Sequence, residues 1–301
     1  MRDTARDRYQ LQRFAEWGEA RDAVRAMIFT SSLTVPNGPV DVLSDYDLIL
    51  ILRDIHPYFE DRAWLGDFGP VLAVYRDPIL IEEGLEKSAY VVQYEDGLKI
   101  DFTLWPVEAL QKMAASPELP DEFDAGYQVI LDKDHLTDGL KPPTYAAYIP
   151  KPPSQAVYHE AIEVFFVDTA YVAKFLWRDD LMAAKYILDT MLKYEHLLPM
   201  LQWHAEIEHN WSVKPGPYGR RLKRWLRSDL WAELESTYTG MDVQANWDAL
   251  YKTIALMQRV AIEVGDHLGY AYPHDLEARV IAYLQKVQYL ASDAGQFPGN
   301  D

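Results

Sequence analysis

The 301-residue sequence contains no cysteine, which excludes a disulfide framework, a thiolate metal site and a cysteine nucleophile. The absence fits a reducing compartment, and we expect a cytoplasmic protein. The charged N-terminal stretch MRDTARDRYQLQRF lacks the apolar core of a signal peptide. The sequence also lacks an apolar run of eighteen residues, so we expect no membrane-spanning helix.

Basic side chains are scarce relative to acidic ones, with 29 Lys and Arg against 47 Asp and Glu and a net charge of −18. This balance disfavours a nucleic-acid partner. It fits a small cationic molecule or a divalent cation, although an acidic surface also simply keeps a protein in solution. The sequence contains no G-x-S-x-G, H-E-x-x-H or P-loop motif. His204 and His209 are five residues apart, which indicates a polar helix end rather than a zinc site.

The two halves of the chain differ in their hydrophobic patterns. Residues 1–145 mix helix and strand patterns, whereas residues 146–301 show long amphipathic periodicity. Five prolines in the stretch LKPPTYAAYIPKPPS, residues 140–154, predict an extended connector. We therefore predict an α+β protein with two domains, a mixed-sheet domain over 1–145 and an α-helical bundle over 146–301.

Individual elements follow from local signals. We predict a helix over residues 5–22, a strand over 26–29 and a strand over 47–52. Asp96-Gly97 between apolar runs predicts a hairpin of residues 89–94 and 98–105. The spacing from Trp247 to Leu268 predicts a helix that Gly269 closes, and residues 155–209 predict two or three helices.

Three acidic residues mark the first half. Asp45 and Asp47 stand where a strand begins, and alternation would place both on one face. Asp101 lies inside an apolar strand, where an ionised carboxylate is costly unless it is paired or metal-bound. Oxygen ligands of this kind suit Mg²⁺. A D-x-D pair is also common in acidic turns, so the pattern leaves a metal site and a solvated turn both open.

The order of these features resembles the nucleotidyltransferase superfamily with a polymerase-β-like palm, and more closely the aminoglycoside 6-adenylyltransferases. The resemblance covers almost the whole chain. It rests on SDYDLILIL (44–52), AWLGDFG (63–69), EDGLKIDFTLWPVEAL (95–110), ILDKD (130–134), YVAKFLWRDDLMAAKYILD (171–189), PYGRRLKRWL (217–226), DLWAELESTY (229–238) and GYAYP (269–273). The resemblance implies Mg²⁺-dependent transfer of AMP from ATP to a hydroxyl of an aminoglycoside such as streptomycin. It assigns the Mg²⁺–ATP ligands to Asp45, Asp47 and Asp101.

The resemblance also suggests further site residues, each of which has a plain surface or capping role as its alternative. A carboxylate general base from the helical half would be Asp180 or Asp189. The triphosphate contacts would come from a set of hydroxyl and basic residues, namely Thr30, Ser31, Ser32, Lys174, Lys185, Arg220 and Lys223. A cationic acceptor would be met by acids and aromatic rings of the helical half, namely Glu163, Asp168, Asp179, Tyr171 and Trp177.

The sequence departs from the family pattern in its phosphate loop. Thr30 replaces the family's glycine, Ser31 is retained, and Ser32 replaces an arginine; Gly216-Pro217 replaces a glycine-lysine pair. These changes favour one alternative to the aminoglycoside reaction, a catalytically impaired binding protein of the same fold. An adenylyltransferase for a different acceptor, such as a lincosamide, also stays open, because substrate choice depends on the shape of the pocket.

Overall fold

The computed structural model describes residues 5–30, 32–35, 40–213 and 216–297. The chain divides into two compact units, Met1–Tyr148 and Ile149–Asp301. The first is an α+β unit and the second is built of helices, which confirms the predicted fold class. Within the described residues, no helix combines the length and the apolar character needed to cross a bilayer.

The first unit alternates helices and strands. Its elements in chain order are α1 Ala5–Glu19, β1 Val24–Phe29, β2 Tyr46–Leu52, α2 His56–Glu60, β3 Val71–Arg76, β4 Leu80–Glu82, β5 Leu85–Tyr94, β6 Lys99–Pro106, α3 Val107–Ala115, α4 Asp121–Asp124 and β7 Gln128–Asp132. A 3₁₀ turn follows β1 at Ser32–Thr34, and another spans Ala63–Phe68.

The seven strands form one mixed sheet in the order β3-β5-β6-β2-β1-β7, with β4 paired to β5. β2 and β6 pair in parallel, and the remaining pairs are antiparallel. The predicted hairpin is confirmed as β5 and β6. Gly97 takes φ +85° in its turn, and the Asp96 carboxylate accepts a hydrogen bond from the Leu98 N–H at 3.0 Å.

Alternation along β2 and β6 gives the sheet two different faces. Leu48, Leu50 and Phe102 belong to one cluster, packed under α1 and the Ala63–Phe68 turn. Ile49 and Trp105 belong to the other, packed under α3 and α4. Asp47 and Asp101 are two residues before Ile49 and Thr103, so they share the second face and lie at the start of both strands.

The second unit is built on two long helices. Its elements are α5 Gln155–Trp177, α6 Leu181–Lys185, a π-helical segment Tyr186–Leu197 that runs on into α7 Leu198–Glu208, α8 Leu222–Trp225, α9 Ser228–Ser236, α10 Val243–Leu268 and α11 His274–Gln288. Ser154 caps α5 by accepting the Val157 N–H. Gly269, at φ +78°, ends α10 as predicted.

The structure corrects two local predictions. α1 ends at Glu19 rather than at residue 22, because the chain turns there to enter β1. The segment His204–His209 forms the end of α7 as predicted, but His204 is buried there and lies 2.6 Å from the Glu263 carboxylate.

Candidate active site

The central parallel strands bring Asp47 and Asp101 together. The two residues are direct partners in the β2–β6 register. The same register places Tyr46 opposite Ile100, so Asp45, one residue earlier, falls beside Lys99. Lys99 Nζ donates to Asp45 Oδ2 at 2.9 Å and to Asp101 Oδ2 at 2.8 Å. Asp45 and Asp101 therefore share one ammonium group, and Asp47 interacts with it only through its charge.

Burial and mutual repulsion set the electrostatics of this group. Burial raises the pKa of Asp47 to about 6, and the charges of Asp101 and Asp45 add to the rise while Lys99 opposes it. Burial alone would lower the pKa of Lys99, but its hydrogen bonds to Asp101 and Asp45 hold that pKa above its ordinary value. The site thus concentrates negative charge that one lysine only partly offsets.

One carboxylate oxygen at this site lacks a donor. Asp101 Oδ1 is buried and has no hydrogen-bond partner among the described residues. In the same parts of the chain, no three His, Cys, Asp or Glu side chains are grouped closely enough to hold a metal ion. The Lys99 ammonium lies between Asp45 and Asp101 and donates to one oxygen of each. The assignment of the three acids as Mg²⁺ ligands stays a prediction.

The segment after β1 lies next to the acids. The Thr30 N–H donates to the Asp47 carbonyl at 3.0 Å, which extends the β1–β2 pairing by one residue. Thr30 is thereby aligned with Asp47 and Asp101 across three neighbouring strands. Ser31 lies outside the described residues. Ser32 begins the 3₁₀ turn, and its side chain is likewise outside the described part.

The two candidate bases of the helical unit have different surroundings. Asp180 is exposed at the start of α6, and its side chain forms no capping hydrogen bond. Asp189 is held by two lysines: Lys185 lies 2.6 Å from Oδ2, and Lys193 lies 2.6 Å from Oδ1. Both oxygens of Asp189 therefore already accept from ammonium groups, which Asp180 does not share.

The lysine that sequence reasoning missed here is Lys193. Its side chain is 1% exposed, donates to the Thr237 carbonyl at 2.8 Å and lies 3.9 Å from the centroid of the Tyr238 ring. Burial lowers its pKa. The spacing of four residues from Asp189 was the available signal, since such pairs share a helical face. Lys185 also donates to the Thr239 carbonyl at 2.8 Å, so these contacts tie the helix to the segment after α9.

A groove between α5 and α11 collects some of the remaining candidates. It has a volume of about 1180 Å³, and Glu163, Tyr171 and Lys174 line it from α5. Arg279 and Tyr283 line it from α11. The groove thus combines both charges with aromatic rings, which suits a polar ligand with a ring system.

The remaining residues predicted to bind the acceptor, Asp168, Asp179 and Trp177, lie outside this groove. Asp168 lies 2.8 Å from the His196 ring, and the Trp177 indole donates to the Leu290 carbonyl at 3.0 Å. Asp179 stands at φ +60° in the exposed turn after α5. None of the three lines the groove.

The basic residues near α8 lie on the surface. Lys223 is 68% exposed, lies 3.6 Å from Glu235 and covers the Trp231 ring at 5.0 Å. Arg220 is exposed after the 3₁₀ turn Pro217–Gly219. The four basic candidates do not form one cluster. Lys174 lines the groove and Lys185 pairs with Asp189, whereas Arg220 and Lys223 neither line the groove nor pair with Asp189.

The fold, a mixed sheet with Asp47 and Asp101 paired on its central parallel strands and a separate helical unit, accompanies sequence relatives that are enzymes of the nucleotidyltransferase class, and this chain is of the same class. The chain belongs to the streptomycin adenylyltransferase family, whose model matches residues 5–287.

Relatives extend over nearly the whole chain. An aminoglycoside 6-adenylyltransferase of Bacillus subtilis (strain 168) is 27% identical over 277 residues, covering 91% of this chain and 95% of its own. An aminoglycoside 6-adenylyltransferase of Campylobacter jejuni is 27% identical over 273 residues, covering 90% and 92%. The crystal structure of an aminoglycoside 6-adenyltransferase from Bacillus subtilis aligns with a TM-score of 0.47 at 24% identity, covering 92% and 96%.

Proposed function

We propose that this protein transfers AMP from ATP to a hydroxyl of an aminoglycoside such as streptomycin, with Mg²⁺ as the metal. The observation that carries the proposal is the pairing of Asp47 with Asp101 on adjacent parallel strands, with Asp45 one residue before β2. Family membership and the names of the two curated relatives support the reaction class and the acceptor class.

The residues fit a divalent cation by their chemistry. Asp101 Oδ1 is buried without a donor, and Lys99 occupies the place of a positive charge between Asp45 and Asp101. Asp45, Asp47 and Asp101 would hold the ion. When bound, Mg²⁺ supplies positive charge for the oxygens of the triphosphate.

The chain's own groups then position the reactants. In the proposed reaction the acceptor oxygen forms a bond to the α-phosphorus of ATP, the bond to the pyrophosphate oxygen breaks, and the hydroxyl proton passes to a carboxylate. Of the two candidate bases in the helical unit, Asp180 forms no capping hydrogen bond within the described part of the chain, whereas both oxygens of Asp189 accept from lysines. Lys174 in the α5–α11 groove is the basic candidate with a cavity beside it.

The test is an AMP-transfer assay with Mg²⁺, ATP and a panel of streptomycin, kanamycin and lincomycin. Mass spectrometry follows the adduct, and pyrophosphate release gives a second readout. Asp47→Asn and Asp101→Asn should each lower the rate at least about 100-fold, because charge stabilisation is the main catalytic contribution in such a site. Asp121→Asn, an exposed acid in the first turn of α4, should leave the rate unchanged. Transfer that survives in both variants would contradict the proposal.

A second candidate is a catalytically impaired protein that binds nucleotide or cationic ligand without transfer. The bridge from Lys99 to Asp45 and Asp101 favours it, because an internal cation already pairs with one oxygen of each of these two acids. Thr30 also carries a branched side chain beside Asp47. Ligand binding without any AMP adduct across the acceptor panel would select this candidate, whereas an adduct on lincomycin alone would keep the reaction and change the acceptor.

A further inference from the structure

A second cavity opens on the face of the sheet that carries Asp47 and Asp101. We name it the Trp105 cavity; its volume is about 270 Å³. Its lining consists of Thr30, Ile49, Asp77, Pro78, Leu80, Glu82, Lys87, Ser88, Ala89, Thr103, Trp105 and Glu122. The cavity belongs wholly to the first unit.

The cavity is continuous with the acids along the strands. Ile49 and Thr103 are paired partners two residues beyond Asp47 and Asp101, and Ala89 pairs with Thr103 on the other side. A strand rises about 3.3 Å per residue and alternates faces, so Thr103 follows Asp101 on this face at about 7 Å. A ligand that contacts Thr103 in the cavity therefore lies about 7 Å from Asp101, which is roughly the width of one sugar ring.

The Trp105 ring in this cavity already has an ammonium group next to it, that of Lys87. Lys87 Nζ lies 4.4 Å from the centroid of the Trp105 ring, within the range of a cation–π contact. The same Nζ lies 3.0 Å from Glu82 Oε2. Phe123 stacks on Trp105 with centroids 5.8 Å apart and an interplanar angle of 27°, which fixes the indole in place. The cavity is thus built for a positive charge against a ring.

The net negative charge of the cavity lining favours binding of a further cation. Three carboxylates line the cavity, those of Asp77, Glu82 and Glu122, against the one ammonium of Lys87, which gives a net charge of −2. Within the described residues, Asp77 and Glu122 take part in no ion pair. Drug-sized ligands fill pockets of about 300–1,000 Å³, so this volume suits a single ring rather than a whole aminoglycoside.

We propose that the Trp105 cavity binds the cationic ring of the acceptor, with an ammonium or guanidinium group between Glu122 and the Trp105 ring. The Lys87 ammonium already lies over the Trp105 ring, so a ligand binds there only when its cation interacts more favourably with the cavity than Lys87 does. Lys87 therefore acts as a selectivity residue. A hydroxyl on the bound ring then faces the Asp47–Asp101 pair. This inference rests on the proposed AMP transfer for its acceptor.

The test measures binding of streptomycin and kanamycin by calorimetry, without nucleotide, alongside the transfer assay. Glu122→Gln should weaken binding about tenfold through loss of a charge-assisted contact. Lys87→Met should tighten binding about fivefold, because it removes an internal competitor whose ion pair with Glu82 is only partly buried. Glu60→Gln, an exposed acid at the end of α2, is the matched control and should leave the Kd unchanged. In the transfer assay, Glu122→Gln should raise KM with little change in kcat.

The outcomes separate the two proposals. If AMP transfer is intact but Glu122→Gln and Lys87→Met bind like the control, the acceptor lies elsewhere and the cavity assignment is wrong. If neither aminoglycoside binds the wild-type protein, the assignment is also wrong. If binding responds to both variants as expected while no acceptor is adenylylated, the cavity assignment stands and the proposed function fails.

Discussion

Replacing Lys99 with methionine would test the charge balance of the candidate site. The substitution keeps a long side chain but removes the ammonium that joins Asp45 and Asp101. Three carboxylates would then face one another, and the Asp47 carboxyl would lose the positive charge that holds its pKa down. We expect the variant to be less stable than the wild type, and we expect Mg²⁺ to reverse the loss.

The magnitude follows from the exposure of the pairs. The side chain of Lys99 is 28% exposed, that of Asp45 43% and that of Asp101 32%. Fully exposed pairs contribute about 0.2–1 kcal/mol, so two half-buried pairs that share one cation should contribute about 2 kcal/mol to the free energy of unfolding. In a unit of this size that corresponds to a fall in Tm of about 4–8 °C.

Differential scanning fluorimetry with and without millimolar Mg²⁺ measures the effect. Mg²⁺ should raise the Tm of Lys99→Met more than that of the wild type, because the ion supplies the missing positive charge. Lys112→Met, which removes an exposed pair with Glu83, is the control and should respond to Mg²⁺ like the wild type. A Lys99→Met variant with wild-type Tm and no Mg²⁺ response would refute the charge-balance reasoning.

Two further predictions concern stability. Gly265→Ala should destabilise the helical unit by about 1–3 kcal/mol, because a Cβ there would lie 2.7 Å from the Tyr158 hydroxyl; Gly240→Ala, with open space around it, should leave the Tm unchanged. Arg227 holds the pKa of Asp229 well below its usual range, so the ionised form stabilises the fold. That stability should be complete above about pH 4 and disappear as the pH falls toward the folded-state pKa. Acid titration of Tm should therefore show a shallower fall for Asp229→Asn than for the wild type, and parallel curves would contradict the assignment.

Much of the framework follows from local sequence signals. The apolar run after Asp47 is strand β2, and Asp96-Gly97 is the hairpin turn, because each depends on a few adjacent residues. Gly269 ends α10 for the same reason: it takes a left-handed conformation that other residues adopt at a cost. The sequence pattern predicts that the first helix extends to residue 22, but α1 ends at Glu19, because the chain turns there to pack against β1. There Gly18 lies so close to Met27 that a Cβ would stand 2.2 Å from its sulfur.

The sequence by itself determined that Asp101 is costly to bury in its apolar strand and that Asp45 and Asp47 form a pair at the start of another strand. Only the tertiary structure decided that Asp47 and Asp101 are register partners in parallel strands, since the parallel β2–β6 pair joins residues that are 54 positions apart in the sequence. It also decided the partners of Lys99 and of Lys87, because a long flexible side chain takes its position from charges and rings on other strands. Alternation fixes the face of a residue, but register and long-range packing fix what that residue meets.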